Sequence, residues 1–586
     1  MATFTRKLMI AWWLTAMPVT LMAVEVAGRV VTPDDQPIAG AMITVRSASA
    51  AATVTKVFSG KDGHFLVPNL GDNVYVNSIK ASVDKLGFEQ TSPTQSSLAA
   101  LQIPVVDNRV TVNFVMQPTT NVAAQVPASA WVLKMGDHPL QNDIINVCSQ
   151  CHQFPNDRVK TFSSALASLD VSQREAAWRG MFAAMRVQMY GALQAENSIP
   201  ATPEQIAYII DAKNSFIDQL DEDLLAPWLA ENFATSFDNY PLADVNAWLG
   251  KSGVNEHTVI RQFSYGEKSF VRETAIVDGN VWVVDISRNR LGKLDPITGG
   301  YVWHDVPSPG APAPHSMVPD AHGNLWVTLL EANGKSVVRF DPKTGDWRIY
   351  DGFPKGTVAH DQSPGTGYVI DFDKAGYSWL TLITSNKVIG FHPETGEVTP
   401  AYDLPLPADE SPFHVGVYGG ALTADGHYWF AQNNGGLGRF NTETRKVDHY
   451  VEFERSTGPH RMVVHPDGTL YVSLIGSGQI LAYDPVNLKE IKRIDLPDRA
   501  SSPYSLIWDP VRNALWSGTV NSDRIFKYDI ASDSITEYPT GIKDLHVRIG
   551  AVDPETGDIW IANSPIPSTD KAVRWVFSLH PGDLGR

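Results

Sequence analysis

Cysteine is almost missing from this chain: 586 residues carry two, Cys148 and Cys151, both within "NVCSQCHQF". That excludes a disulfide framework, since a bridge across two intervening residues closes too small a loop to stabilise much. Long apolar runs are also missing after the first two dozen residues, so nothing there reads as a membrane span. Basic residues are outnumbered, 47 Lys and Arg against 64 Asp and Glu, for a formal net charge of −17. Nucleic acid and anionic lipid are excluded as natural partners by that balance.

What is present begins with "MATFTRKLMIAWWLTAMPVTLMA", residues 1–23. Arg6 and Lys7 precede an apolar run and small residues near Ala23, the layout of a secretory signal peptide. A membrane anchor is the alternative, but the run is short and Pro18 interrupts it. The expectation is a periplasmic or otherwise exported protein with no membrane span after signal removal.

Cys-x-x-Cys followed by His152 offers three chemistries: a dithiol redox pair, half of a zinc site, or thioether attachment of haem c. Zinc needs two more ligands near by, and residues 153–256 contain neither Cys nor His. The signal supplies the oxidising compartment that haem attachment requires. One covalent haem c is therefore expected on Cys148 and Cys151, with His152 on the iron.

Three regions follow one another. Residues 25–118 alternate apolar and polar positions in short runs such as "VAGRVV" and "AMITVRS", parted by turns, which predicts a β-sandwich. The stretch "VAGRVVTPDDQPIAGAMITVRS" with "SGKDGHFLVPNL" resembles the carboxypeptidase-regulatory-like, transthyretin-type domain, a family that implies a structural or adhesive role. Residues 119–130, "TNVAAQVPASAW", read as a linker. Beyond it "REAAWRGMFAAMRVQMYGAL" and "TPEQIAYIIDAKNSFIDQL" keep a helical apolar period, the second starting at Thr202 and Pro203. This α-helical region with its Cys-x-x-Cys-His resembles class I cytochrome c across roughly residues 135–222. Haem iron commonly takes a thioether as second axial ligand, and Met181, Met185 and Met189 lie on one helical stripe that core packing alone would also explain. "AWRGMFAAM" ahead of "GAL" is similar to the ligand-bearing helix of small cytochromes c, which points to Met185.

From residue 268 the chain repeats seven times, at Trp282, Trp326, Trp379, Trp429, Tyr471, Trp516 and Trp560. Such a period predicts a seven-bladed β-propeller over residues 258–586. Residues 258–266 supply an outer strand to the last blade, which ends early in "KAVRWVFSLHP", and so close the ring.

Aligned on the aromatics, the start of each innermost strand carries Arg272, His315, Tyr368, Tyr418, His460, Tyr504 and Arg548, with His546 close by. These side chains should converge at one channel mouth, although inner-strand polar groups often only bond neighbouring backbone. His315, His460, His546 and Tyr504 are the candidates for proton transfer. Arg272, Tyr368, Tyr418 and Arg548 are the candidates for holding substrate.

"PHSMVPDAHGNLWVT" and "GPHRMVVHPDGTLYVS" resemble virginiamycin B lyase and its streptogramin lyase relatives through all seven blades. That resemblance implies elimination with magnesium and a histidine base. Asp544 and His546 match its acid-x-His order, but Tyr504 stands where a second histidine is expected, and Asn563 and Ser564 where a carboxylate should be. Streptogramin cleavage is therefore not carried over.

The reading preferred here is an exported oxidoreductase: a small molecule bound at the channel mouth, electrons leaving through the haem to a soluble or membrane acceptor. No flavin or nicotinamide fingerprint accompanies it. The alternatives are a lyase acting on another substrate, or a binding propeller whose only chemistry is electron transfer.

Overall fold

The strands form where β-branched and aromatic residues alternate between turns rich in Asp, Pro and Gly. In "DPITGG" Asp295 Oδ1 accepts from the Ile297 and Thr298 amides at 2.9 and 3.3 Å, and Gly299 closes the turn at φ +71°. A side chain in that conformation costs about 1 kcal/mol or more. The structure is a computed structural model that describes residues 24–584 apart from 48–52, 69–77, 94–102, 107, 136–138, 197–219, 234–236, 267–268, 308–312, 331–335, 355–358, 363–369, 384, 409, 411 and 565–574.

Seven antiparallel blades make up the second half, the first and last joined by a parallel pairing of their innermost strands at Glu273↔Ile549. Their innermost strands are Val271–Val277, Pro314–Pro319, Ala359–Gln362, Val417–Leu422, Pro459–Val464, Pro503–Asp509 and Val547–Val552. Each packs against the innermost strands of its two neighbours, the first against the last, so the sheets ring a central channel. This is a seven-bladed β-propeller. The repeated aromatic of each second strand is buried. In blades 2, 3 and 6 its indole Nε1 also donates to Asp320, Asp373 or Asp509, at 2.9, 2.9 and 2.8 Å, so the ring is buried without orphaning its N–H.

Val259–Ser264 is the outermost strand of blade 7, antiparallel to Trp575–His580 from Val259↔His580 to Ser264↔Trp575. Its other edge pairs with Thr53–Phe58, from Val259↔Val57 to Phe263↔Thr53. Thr53–Phe58 belongs to an N-terminal β-sandwich whose core includes Val26, Val30, Ile43, Val45, Phe65 and Phe114. One sheet thus runs from the sandwich through blade 7. Buried Lys56 reinforces the junction by donating to the Thr540 and Gly541 carbonyls at 2.9 and 2.7 Å.

Between these β regions lie the helices Ala128–Leu133, Pro139–Asp143, Asp157–Leu166, Val171–Glu196, Glu222–Asn232 and Leu242–Asn246, with a π-helical turn at Ile144–Cys148. Asn156 caps the third, its side chain accepting from Val159 N at 3.0 Å. Helix is a minor part of the molecule, and a large helical domain is not evident. The segment instead lies on the propeller face where the innermost strands begin. Residues 119–130 differ from the expected linker. Val122, Val126 and Ala130 are buried with Trp131 and Tyr240, because the apolar positions are frequent enough to build a small core of their own. The expected signal, residues 1–23, and the helix start at Thr202 fall outside the described residues. Among the described residues no helix is long and apolar enough to cross a membrane.

Candidate functional site

Every innermost strand slips register once near its start. The slips bracket Arg272 with Glu273, His315 with Ser316, His360 with Asp361, Tyr418, His460 with Arg461, Tyr504, and Arg548 with Ile549. A bulge unpairs its residue from the ladder and re-aims the side chain. Seven backbone bulges therefore ring the channel, and the six whose side chains are described free side chains that no sheet requires. Tyr368 lies outside the described residues. In blade 3 the register puts His360, of which only the backbone is described, at the place that His315 and His460 hold.

Blades 4 to 7 bring their residues into contact. The Tyr418 and Tyr504 hydroxyls share a hydrogen bond of 2.6 Å, and Arg548 Nη1 donates to the Tyr504 hydroxyl at 2.8 Å. His460 stacks on Tyr418 with ring centroids 4.1 Å apart, and His546 meets the Tyr504 ring edge-on at 4.9 Å. Burial and the three guanidiniums have opposite effects on Tyr418. Burial wins, and its hydroxyl is held far above the ordinary phenol range. His315 is buried at its bulge in blade 2.

Both imidazoles have a fixed tautomer. His460 Nδ1 lies 2.8 Å from the Tyr504 carbonyl and His546 Nδ1 2.9 Å from the Cys151 carbonyl. A carbonyl only accepts, so each Nδ1 carries the proton and each Nε2 is the basic atom. Burial, then the charge of Arg548, holds His546 well below the ordinary imidazole range, so it rests neutral.

Glu273 and Arg461, the second residues of their bulges, belong to the same ring and were not singled out from the sequence. Arg461 Nη2 is 3.4 Å and Arg272 Nε 3.7 Å from Glu273 Oε1, while Glu273 Oε2 accepts from the Met317 amide at 3.1 Å. A charge of either sign inside an otherwise apolar inner strand, as in "VRETAIV" and "PHRMVV", was the available signal. Arg272, Arg461 and Arg548 thus surround the tyrosine pair with one described carboxylate, Glu273, among them. Among the described residues, Arg272 Nη2, Arg548 Nη2 and His546 Nε2 are buried without a hydrogen-bond partner. Buried cationic donors in excess of acceptors suit an anion.

The Cys-x-x-Cys-His turn covers this mouth. Besides the His546 contact, Asn521 Nδ2 donates to Ser149 Oγ at 2.6 Å, and Phe154 N donates to Asn521 Oδ1 at 3.0 Å. Gln153 Nε2 donates to Asp523 Oδ1 at 2.6 Å. Asn146 Nδ2 reaches Asn434 Oδ1 and the Arg455 carbonyl, each at 3.1 Å. Gly458, at φ +66°, makes that approach possible, because a Cβ there would fall 2.4 Å from Asn146 Oδ1.

No protein-family model matches the sequence, and no curated protein sequence does. Among solved structures the chain is similar to virginiamycin B lyase from Staphylococcus aureus, with 18% identity and a TM-score of 0.45 over 55% of this chain and 99% of that one. A streptogramin B lyase structure gives 18% identity and 0.44 over 57% and 99%. The Cps50 (Swd1) β-propeller domain of Myceliophteria thermophila gives 10% and 0.41 over 54% and 99%. The likeness covers about half of this chain and assigns no residue's role.

The residues of the motif suit a covalent haem. Cys148 and Cys151 are not joined by a disulfide and are partly exposed. His152 Nδ1 donates to the Gln153 carbonyl at 2.6 Å, which leaves Nε2 as the ligating atom, the usual outer-shell arrangement of a metal-bound imidazole. Cys148, Met181 and Met185 flank one apolar cluster built on Trp178, Phe154 and Phe233. The Met189 side chain lies outside the described ones. Magnesium fits less well. Asn563 Oδ1 accepts from His546 N at 2.6 Å and the Ser564 carbonyl from Arg548 Nε at 3.0 Å, so a guanidinium stands where a cation would be needed.

Proposed function

We propose that this chain is an exported haem c oxidoreductase whose propeller mouth holds a small anionic substrate and takes its proton as the substrate is oxidised. The observation that carries this reading is the 2.9 Å hydrogen bond from His546 Nδ1 to the Cys151 carbonyl, which ties the imidazole of the polar ring to the haem motif. Cys148 and Cys151 would hold the haem and His152 and Met185 its iron; the group would supply one-electron chemistry, the substrate's electrons leaving one at a time to a soluble or membrane acceptor.

The remaining roles belong to side chains. Arg272 and Arg548 present unpaired donors that orient an anionic group and stabilise developing negative charge. His546 Nε2, or His460 Nε2 across the Tyr504 ring, receives the proton. The substrate's charge offsets the repulsion that a protonated His546 would otherwise feel from Arg548. The Tyr418 and Tyr504 hydroxyls, hydrogen-bonded to each other and to Arg548, stand beside the two imidazoles to orient the substrate.

The same groups favour a second reading, an elimination of the streptogramin-lyase type. There an imidazole Nε2 takes a C–H proton, the C–O bond breaks, and Tyr504 protonates the departing oxygen. Arg272 and Arg548 would replace magnesium in stabilising the carbanion. Anaerobic mixing of the ferric holoprotein with small aromatic and hydroxy carboxylates separates the two. Haem reduction that His546→Gln slows about 100-fold supports the first. An unsaturated product with the haem still ferric supports the second and overturns the first.

A further inference from the structure

The polar ring is covered on its own side, yet the channel does not end there. Innermost strands run away from the bulges, and along their second halves the channel widens into a cavity of about 340 Å³. That is within the range of small-ligand sites, about 300–1,000 Å³. Its far rim is made of exposed turn residues, Asp278, Ala321, Pro510 and Pro554 among them, so it opens on the face opposite the Cys-x-x-Cys-His turn.

The walls are small or apolar. Gly419, Gly420, Gly550 and Ala551 line it, and neighbouring groups leave no room for a side chain at the glycines: a Cβ on Gly420 would fall 1.9 Å from Tyr428 Oη and one on Gly550 2.7 Å from the Trp560 carbonyl. Within the bore the charged lining residue is Arg461, the same side chain that pairs with Glu273 and lies 5.6 Å from the centre of the Tyr418 ring. Arg461 therefore belongs to both compartments, with the unpaired Arg272 Nη2 beyond it.

Resting on the reading of the channel as the binding site, we propose that ligand enters from this open apolar face and is a monocarboxylate with an apolar body of several carbons. Its carboxylate reaches Arg461 and the excess guanidinium charge of the ring, and its body fills the bore. Arg461 is then the residue that selects for length, because it sets the depth at which the charge stops.

The test is calorimetric titration of the haem-loaded protein with acetate, butyrate, hexanoate and octanoate, and with octyltrimethylammonium as the cationic counterpart. Affinity should rise about threefold to fourfold per added methylene, and the cation should not bind. Ala551→Trp, which fills the bore without touching the polar ring, should weaken octanoate at least about tenfold with an unchanged haem spectrum. Arg461→Met, which removes the charge, should flatten the discrimination of carboxylate from cation. Equal affinity for acetate and octanoate, or octanoate binding unchanged in folded Ala551→Trp, overturns the proposal. If Ala551→Trp is without effect but Arg548→Met abolishes binding, ligand reaches the ring from the covered side and only this inference fails. If neither variant matters, the channel is not the site and the reading of the site fails with it.

Discussion

The two ends of the channel are built from the same seven strands and share almost nothing chemically. At their starts the strands bulge, carry Arg, His, Tyr and Glu, and are covered by protein. Past the bulges they pair regularly, carry Gly, Ala, Val and Met, and meet solvent. The difference lies in backbone register. A regular strand hides alternate side chains in the sandwich between blades, whereas a bulge frees one or two for the channel. The propeller thus separates the parts that hold it together from the parts available for chemistry, residue by residue along a single strand.

The largest expected effect comes from removing the proposed haem attachment at the covered end. Cys148→Ser with Cys151→Ser should abolish covalent haem, measured as the mass of the exported protein, and with it any substrate-driven spectral change. Next, His546→Gln and Tyr504→Phe should impair turnover by about 100-fold and about tenfold, while Ala551→Trp at the other end should act through substrate affinity. Should all three change affinity alone, the division between a chemical and a binding end would collapse. Met185→Ala should lower the haem potential and remove the weak absorption of a thioether-bound ferric iron. An unchanged spectrum there with a changed one in Met181→Ala or Met189→Ala would move the ligand.

The smallest effect concerns how firmly the cover is seated. Asp498 is buried beneath it, accepting from Ser129 Oγ and, at 3.1 Å, from Ala500 N, and burial pushes its carboxyl up to about 6. Raised above the unfolded value near 3.8, that group stabilises the fold fully only below pH ~3.8 and loses its contribution as pH rises through about 6. Asp498→Asn should therefore raise Tm relative to the parent at pH 7.5 and show no gain at pH 4, as thermal melts in the two buffers would report.

Much of the ring was legible in the sequence because the stretch from bulge to buried aromatic is nearly constant in length. Arg272, His315, Tyr418, His460, Tyr504 and Arg548 each stand 10 to 12 residues ahead of their Trp or Tyr, so aligning on the aromatic finds them. Blade 3 breaks the rule. Additional residues between its innermost strand and Trp379 push the matching position back to His360, and an alignment that allows only short gaps lands on Tyr368 instead. Glu273 and Arg461 escaped because regular alternation assigns one residue per turn to the channel, and a bulge yields two. The docking of the Cys-x-x-Cys-His turn on the propeller was not legible at all. It depends on polar pairs such as Asn521 with Ser149 and Asn146 with Asn434, whose partners are hundreds of residues apart and leave no periodic trace.

The sheet that runs from the sandwich into blade 7 bears on how the ring is assembled. A propeller closed by strands from its two termini normally asks a free end to find another free end, with a loop-closure entropy that grows with the chain between them. Here Val259–Ser264 is anchored beforehand, because Thr53–Phe58 lies on its outer side. Because the sandwich and Val259–Ser264 both precede Trp575–His580 in the chain, the pairing allows the closing strand to be held on one side before the last strand is made. The same anchor explains why the edge is not a hazard in the meantime: one side of the closing strand is already satisfied, and the other is reserved for a single register.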